Sequence, residues 1–304
     1  MRKPTLLLVG LLSCAWATSA SAQATQTQLV GTQDIPFDRP ESWAMKYFTS
    51  VAVLSGLGVP RPIHPGALRL ALEGGWVPYL SAQERMIGFD GTKMEDTNHV
   101  PVYGRLRLTV GLPLDFALTV GYVPPIEISE VRAHLFAAAL ERPLLVQGGF
   151  VLGARIYGGV GSIDGPFTCS AAEVAAGADL TLNPYDCQAP SNDTLSHGYG
   201  GIELGAAYRI DRLHGLEPYF TVAGNYMTLD SQVRASYSNV VDRTRLHTNG
   251  STASVAGGLV FPVVSWLVLA GEAYYAPLAI QRSASDVQTD GLFNVRGMLQ
   301  FRLH

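Results

Sequence analysis

The sequence predicts an all-β protein, a closed antiparallel transmembrane β-barrel of about ten strands that follows a short N-terminal helical or extended segment. Ten segments alternate apolar and polar residues with a period of two, which is typical of strands with one apolar face. After the first 22 residues no run of 18 apolar residues occurs, so no transmembrane helix is expected. The links between the ten segments are alternately short and long, as expected for a barrel that crosses a membrane.

The composition agrees with a large β-protein rich in tight turns. The 304 residues include 32 glycines and 13 tyrosines, and only 15% of them are charged. The formal net charge of -4 gives no basic surface for a nucleic acid, so no nucleic-acid partner is expected.

Residues 1–22 have the pattern of a secretory signal peptide. Arg2 and Lys3 precede the apolar stretch 6–12, and Ala20-Ser21-Ala22 forms a small-residue cleavage site, so we expect cleavage near Ala22. The alternative is a lipoprotein signal ending at Cys14, which the bulky Leu12 near that cleavage point disfavours.

Residues 23–65 are predicted to be a periplasmic N-terminal segment. Within 41–55, Trp43, Tyr47, Val51 and Leu54 share one helical face. This spacing favours a short amphipathic helix that plugs the barrel or lies at its periplasmic mouth. An extended segment that adds to the wall is the alternative.

Residues 66–304 are predicted to be the barrel. Its ten alternating segments are Leu68–Trp76, Leu106–Leu112, Phe116–Tyr122, Val131–Ala137, Phe150–Ile156, Ile202–Tyr208, Phe220–Tyr226, Val255–Phe261, Leu267–Tyr275 and Leu292–His304. Short links are expected at 113–114, 141–144, 211–216 and 262–265, and the opposite links at 81–99, 124–127, 162–196, 234–250 and 278–290. A soluble β-sandwich has similar alternation, but the difference in link length favours short periplasmic turns and long external loops.

Aromatic residues on the apolar faces form two groups at the ends of the segments. The group near the long links comprises Trp76, Tyr122, Tyr226, Tyr275 and Phe293; the group near the short links comprises Phe116, Tyr208, Phe220, Phe261 and Phe301. Two such girdles are typical of barrels with both rims at membrane interfaces.

On these features the chain resembles the bacterial outer-membrane β-barrel superfamily over residues 66–304. The resemblance lies in architecture rather than in a diagnostic motif, and it indicates no characterised family. It implies a place in a Gram-negative outer membrane, with the lipid bilayer, its lipopolysaccharide and the barrel-assembly machinery as partners. It implies no cofactor. The chain continues three residues past Phe301 to His304, whereas many such barrels end on an aromatic residue.

The polar faces of the strands carry many arginines. The residues expected to line the lumen are Arg69, Glu73, Arg105, Arg107, Arg132, His134, Arg155, Glu203, Arg209, Glu272 and Arg296, with Arg302 near the end of the chain. In one interpretation these groups neutralise one another, with help from loop or N-terminal acids. In the other, unpaired arginines line a path for small anions. The predicted function is passive passage of small solutes, or a structural role, without catalysis.

Cys169 and Cys187 are the cysteines that remain after signal cleavage, and in an exported chain they are expected to form a disulfide. They lie in the longest predicted loop, 162–196, which could bind an external partner, fold inward as a constriction, or resist proteases. A surface-binding, adhesin-type role through this loop is therefore the alternative function. No cysteine and histidine spacing suggests a metal site.

An enzymatic role is considered because the ten-stranded omptin proteases share the predicted strand count. The corresponding loop residues are Asp90, Asp96 and His99, with Asp230, Asp242 and His247. They lack the paired-Asp and Asp–His spacings of that family, and no G-x-S-x-G motif is present. No catalytic residue is therefore predicted.

Overall fold

A closed ten-stranded antiparallel barrel dominates the computed structural model, which describes residues 26–283 and 286–303. The predicted signal peptide and His304 lie outside the described residues. The barrel strands are β1 (Leu68–Trp76), β2 (Val102–Gly111), β3 (Ala117–Val123), β4 (Val131–Gln147), β5 (Phe150–Gly165), β6 (Asp193–Tyr208), β7 (Glu217–Gln232), β8 (Val240–Val264), β9 (Leu267–Ala276) and β10 (Leu292–Leu303).

Each barrel strand pairs with its neighbours along the chain, and β10 pairs with β1 to close the ring. Leu303 lies opposite Leu68 in this closing ladder. Closure pairs the backbone groups of both end strands, which an open sheet would leave unbonded in hydrocarbon. The predicted barrel and its ten strands are confirmed.

The remaining elements lie inside the barrel or at its ends. Helix α1 comprises Pro40–Ala52, and Gly88–Gly91, Pro113–Asp115, Ala171–Ala176 and Asp211–Leu213 form short helical turns. Short strands comprise Thr27–Asp34, Met86–Ile87, Lys93–Met94, Glu127–Ile128, Cys187–Ala189, Ala235–Tyr237, Ala279–Ser283 and Asp286–Thr289. Within the described ranges, no helix has both the length and the apolar character needed to cross a membrane.

Several strands are longer than the sequence predicts, and two of them, β4 and β8, take up most of a predicted link. Strand β4 continues through the predicted turn 141–144 and ends at Gln147, with a bulge at Pro143 and the turn at Gly148 and Gly149. Gly148 has a φ of 57°, which favours glycine at that turn. Strand β8 starts at Val240, so most of the predicted long link 234–250 is strand that extends beyond the barrel.

The outer surface of the barrel is an apolar belt. In β10, Phe293, Val295, Leu299 and Phe301 are exposed, whereas the residues of opposite parity from Leu292 to Met298 are buried inside. Most of the predicted aromatic residues are exposed on the same surface: Trp76, Tyr208, Phe220, Tyr226, Phe261, Tyr275, Phe293 and Phe301. Apolar side chains facing outward around a closed wall are typical of a barrel surrounded by lipid.

The N-terminal segment runs through the barrel. Thr27–Asp34 pairs in parallel with Val240–His247, at the end of the barrel that carries the long loops. Helix α1 then enters the lumen, and the chain reaches the short-turn end, where the Gly66 N–H donates to the Gly111 carbonyl. The alternation pattern of the strands is compatible with entry of the N-terminal segment at either end of the barrel. The pattern alone therefore could not predict this path.

A charged residue in the outer belt should destabilise the barrel far more than one at a loop tip. We expect Leu204→Arg in β6 to lower the free energy of unfolding by about 2–4 kcal/mol, because the guanidinium would lie in hydrocarbon. Leu180→Arg, at an exposed leucine outside the barrel, is the control and should change the free energy of unfolding by less than about 0.5 kcal/mol. Urea unfolding in lipid vesicles measures both, and equal effects would contradict a lipid-facing belt.

Candidate functional site: the plugged lumen and its apolar cavity

Helix α1 lies inside the barrel and is held at its N-terminal half by hydrogen bonds to the long-loop end. Pro40 occupies the first turn, where its missing N–H costs no helical hydrogen bond. The Trp43 indole donates to the Asp290 carbonyl at 2.9 Å and the Lys46 ammonium to the Ala279 carbonyl at 2.7 Å. The Tyr47 hydroxyl donates to the Pro78 carbonyl at 3.0 Å. Three side chains of this helix thus donate to backbone carbonyls of the chain at the long-loop end.

At the other end of α1, wall arginines bind the helix carbonyls. The Arg296 guanidinium donates to the carbonyls of Ser50, Val51 and Val53 at 2.9–3.2 Å. Arg105 donates to the Ala52 carbonyl. The last carbonyls of a helix have no partner within it and carry its negative dipole end, so cations there are stabilising. The wall arginines thereby cap the plug.

Buried glutamates compensate the charge of these arginines. Glu73 is fully buried and contacts Arg105 at 3.3 Å and Arg107 at 2.6 Å. Arg107 also donates to the Ser55 carbonyl at 2.8 Å, just after the helix. A buried charge without a partner is strongly destabilising, so the strands supply acids close to the bases.

A second group of buried ions surrounds Arg155. Its guanidinium contacts Glu141 at 2.8 Å and also pairs with Glu203. Glu272 accepts a 3.0 Å hydrogen bond from the Tyr219 hydroxyl and lies 4.0 Å from Arg296. Glu141 was not predicted to line the lumen because the sequence pattern placed it in a turn. In the structure, β4 is longer than predicted and carries Glu141 into the lumen.

The predicted lumen residues divide into three groups in the structure. Those in the barrel interior are Arg69, Glu73, Arg105, Arg107, Arg155, Glu203, Glu272 and Arg296. Arg209 lies at the short-turn rim, where it contacts Asp211 at 3.0 Å. Arg302 lies beside it at the mouth of the lower chamber described below.

Arg132 and His134 face outward, so their predicted place in the lumen is wrong. The Arg132 side chain is 55% exposed and pairs with Glu127, and the His134 ring packs against Tyr122 and Phe136 on the outer surface. The inward positions of this strand section are Val131, Ala133, Leu135, Ala137 and Ala139. Both faces of this section carry apolar residues, and packing of the inner face against the α1 segment decides the parity.

Above the plug, at the long-loop end, lies an apolar cavity of about 580 Å³. Its lining includes Met45 and Phe48 of α1, together with Val123, Leu135, Phe167 and Leu195. Apolar cavities of this size are typical of sites for small molecules.

The long loops cover this cavity and bind one another. Cys169 and Cys187 form the predicted disulfide. The preceding residue, Thr168, accepts a 2.6 Å hydrogen bond from Lys93 of the first long loop through its carbonyl. The predicted loop 162–196, called the cystine loop below, therefore folds inward over the cavity, and its Phe167 stacks on Phe48 of the plug.

Glu95 lies at the polar edge of the cavity cover. Burial raises the pKa of its carboxyl to about 7, although Lys93, at 2.6 Å, opposes the shift. The edge of the cavity therefore contains a titratable group that is partly shielded from solvent.

Below the plug, at the short-turn end, lies a polar chamber of about 450 Å³. Arg61 and Glu217 form a 2.6 Å ion pair there. A small space of about 40 Å³ beside Ser55 and Arg107 lies between the two larger cavities. An apolar upper cavity is thus separated from a polar lower one by helix α1, the wall arginines that bind it and the segment that follows it.

The loop residues considered for catalysis do not form one site. His247 lies 3.1 Å from Asp230, and Arg245 contacts the same carboxylate at 3.0 Å. Asp242 has the opposite strand parity, lines the cavity and accepts a hydrogen bond from the Tyr237 hydroxyl. In the first long loop, His99 lies 3.8 Å from Asp96.

Removing the main plug contact should destabilise the protein. We expect Arg296→Met to lower the free energy of unfolding by about 3–5 kcal/mol, because it removes the cation beside Glu272 and the donor to three carbonyls at the end of α1. Arg132→Met, on the outer surface, is the control and should cost at most about 1 kcal/mol. Urea unfolding followed by tryptophan fluorescence tests both; a small loss for Arg296→Met would contradict a stabilising role of the cap.

No protein-family model matches this chain, and no curated protein matches it. Among solved structures, it is similar to Ail, the attachment invasion locus protein of Yersinia pestis, with 11% identity, 79% of this chain and 100% of that chain covered, and a TM-score of 0.29. The Pseudomonas putida toluene transporter TodX has 13% identity, 80% and 69% coverage, and a TM-score of 0.33. The Escherichia coli outer membrane protease OmpT has 12% identity, 78% and 94% coverage, and a TM-score of 0.31.

These likenesses are too low to indicate a function. The fold assignment depends on the closed wall and its apolar outer belt. On those grounds the protein is a β-barrel of the outer-membrane type.

Proposed function

We propose that this protein resides in the bacterial outer membrane and is a non-enzymatic barrel that binds a small uncharged apolar molecule and passes it inward. The apolar cavity of about 580 Å³ directly above a plugged lumen carries this proposal. Binding would depend on burial of apolar ligand surface, which contributes about 25 cal/mol per Å² before the costs of association.

The surroundings of the cavity support an uncharged ligand. Its lining is mostly aliphatic and aromatic, and charged lining residues such as Glu95 and Asp193 already have partners. An anion would lose its hydration in the apolar part without gaining a free cation there.

The buried arginines give little support to an open path for anions. Arg105, Arg155 and Arg296 each bind glutamates or the carbonyls of the α1 segment. Their charge is therefore already compensated by groups of the protein itself. Passage requires α1 to move, because the helix and its arginine contacts occupy the middle of the lumen.

The surface-binding alternative draws on a different observation. Leu180 and Leu182, at the tip of the cystine loop, are each 64% exposed. Two neighbouring apolar side chains could contact another surface. The base of the loop, however, covers the cavity through Phe167 and Thr168, which favours a lid.

Filling the cavity should abolish binding. We expect Ala133→Phe, which places a ring in the cavity, to weaken binding of the apolar fluorophore N-phenyl-1-naphthylamine by about tenfold or more. Ala138→Phe adds the same ring to the outer surface of the same strand and is the matched control. Fluorescence titration of purified protein measures both affinities. Equal affinities of Ala133→Phe and wild type would contradict the cavity as the binding site.

Removing the plug should open the lumen. We expect deletion of residues 26–55 to produce steady conductance in planar bilayers, because this removes α1 and exposes the arginine-lined interior to water. The wild-type protein, inserted at the same density, should conduct only in rare brief openings. If the deleted form is correctly folded and does not conduct, a passage role is contradicted.

A further inference from the structure

The barrel wall has a gap between β2 and β3. Their ladder ends at the pair Leu106 and Tyr122, whereas β2 continues for four more residues, 102–105. The other edge of β2 stays paired with β1 as far as Trp76 and Val102. Among the described residues, no backbone hydrogen bond joins 102–105 to the chain that follows β3.

Two prolines account for the gap. Pro124 and Pro125 follow the last residue of β3 and have no N–H to donate to a ladder. The chain then turns away, since Ile126 donates to the Pro124 carbonyl and Glu127 pairs back on Arg132 of β4. The wall is therefore interrupted because the sequence ends β3 early, and the neighbouring strand is left with a free edge.

The apolar cavity reaches the outer surface through this gap. Val102 and Gly104 have outward parity, with Val102 53% exposed, yet both line the cavity. On the opposite rim, Ile126 and Ile128 are also exposed and also line it. Residues that face outward can border an internal cavity only where the wall is open.

The gap lies at the level of the aromatic girdle on the long-loop side. Trp76 is the register partner of Val102, and Tyr122 is the last partner on the β3 side. Aromatic girdles lie at the membrane interface, where water and headgroups can satisfy a free strand edge. The opening therefore faces the outer leaflet close to its polar boundary.

We propose that this gap is a lateral portal between the cavity and the membrane, an inference that rests on the proposed binding of an apolar ligand. Uncharged apolar molecules concentrate in lipid, and the rims of the gap are apolar on both sides. The direct route from outside is covered by long loops linked through polar contacts, such as Lys93 to Thr168 and Asp96 to Phe167. The portal supplies a path that avoids this polar cover.

Gly104 permits a direct test of the portal. A Cβ at this position would meet only the Glu73 carbonyl oxygen, at 3.9 Å, so a larger side chain fits and would project into the opening. Gly271, on the outer face of β9, has nothing within 4 Å of a Cβ and does not line the cavity. Gly104→Phe and Gly271→Phe therefore form a matched pair, and Ile126→Trp on the other rim provides a second block.

The experiment measures exchange of N-phenyl-1-naphthylamine between phosphatidylcholine vesicles and vesicle-embedded protein by stopped-flow fluorescence. We expect Gly104→Phe and Ile126→Trp to slow both association and dissociation by about tenfold, whereas a mere loss of cavity contacts would speed dissociation. Gly271→Phe should exchange like wild type. Circular dichroism confirms that each variant is folded.

The outcomes separate the portal from the binding site. If wild type does not bind the probe, the proposed function fails and the portal fails with it. If wild type binds and both blocking variants exchange at the wild-type rate, the cavity stands and the portal alone is overturned. Slowing by Gly271→Phe equal to that by Gly104→Phe would also overturn it, because the effect would then come from any bulky outer residue.

Discussion

The interior of this barrel is organised by the contact between wall arginines and the carboxyl end of helix α1. A helix that ends inside a narrow lumen has carbonyls that water cannot readily reach, and these need donors from the protein. Arg296 and Arg105 supply them, and Glu73 and Glu272 compensate the added charge. The plug and the arginine-rich wall are therefore one feature, because each satisfies groups that the other would leave unpaired.

This contact also divides the lumen by polarity. The wall arginines and their glutamate partners gather at the depth where α1 ends, and the space above them is lined mostly by apolar side chains of α1 and the strands. The space below contains Arg61, Arg69 and Glu217 and borders the short-turn mouth. In the proposed function, a ligand in the apolar cavity meets the plug before it meets the wall arginines. Under the proposed function, release to the other side would require the arginine contacts to break, so stability of the plug would oppose passage through the barrel.

Strand β4 shows where prediction from the sequence was wrong. Its section 131–139 carries apolar residues on both faces, and Arg132 and His134 resembled lumen groups. In the structure they lie near the membrane boundary and face outward, while Leu135 and Ala137 pack against the plug. The rule that polar residues face inward fails here because part of this lumen is filled by an apolar helix instead of water. The same helix explains why the partners of the wall arginines were not predicted. Main-chain carbonyls of α1, which no sequence pattern identifies as acceptors, accept several of their hydrogen bonds.

The barrel, its ten strands, the disulfide and, except at the start of β4, the outer belt could be predicted from the sequence. These follow from local rules: a period of two along each strand, hydrocarbon on one face, and two cysteines in an exported chain. The path of residues 26–66 through the lumen, the pairing of each arginine, the apolar cavity and the gap beside Pro124 could not be predicted and are seen only in the folded protein. Those features depend on contacts between residues far apart in the chain, and parity restricts such contacts to a face without selecting the partner.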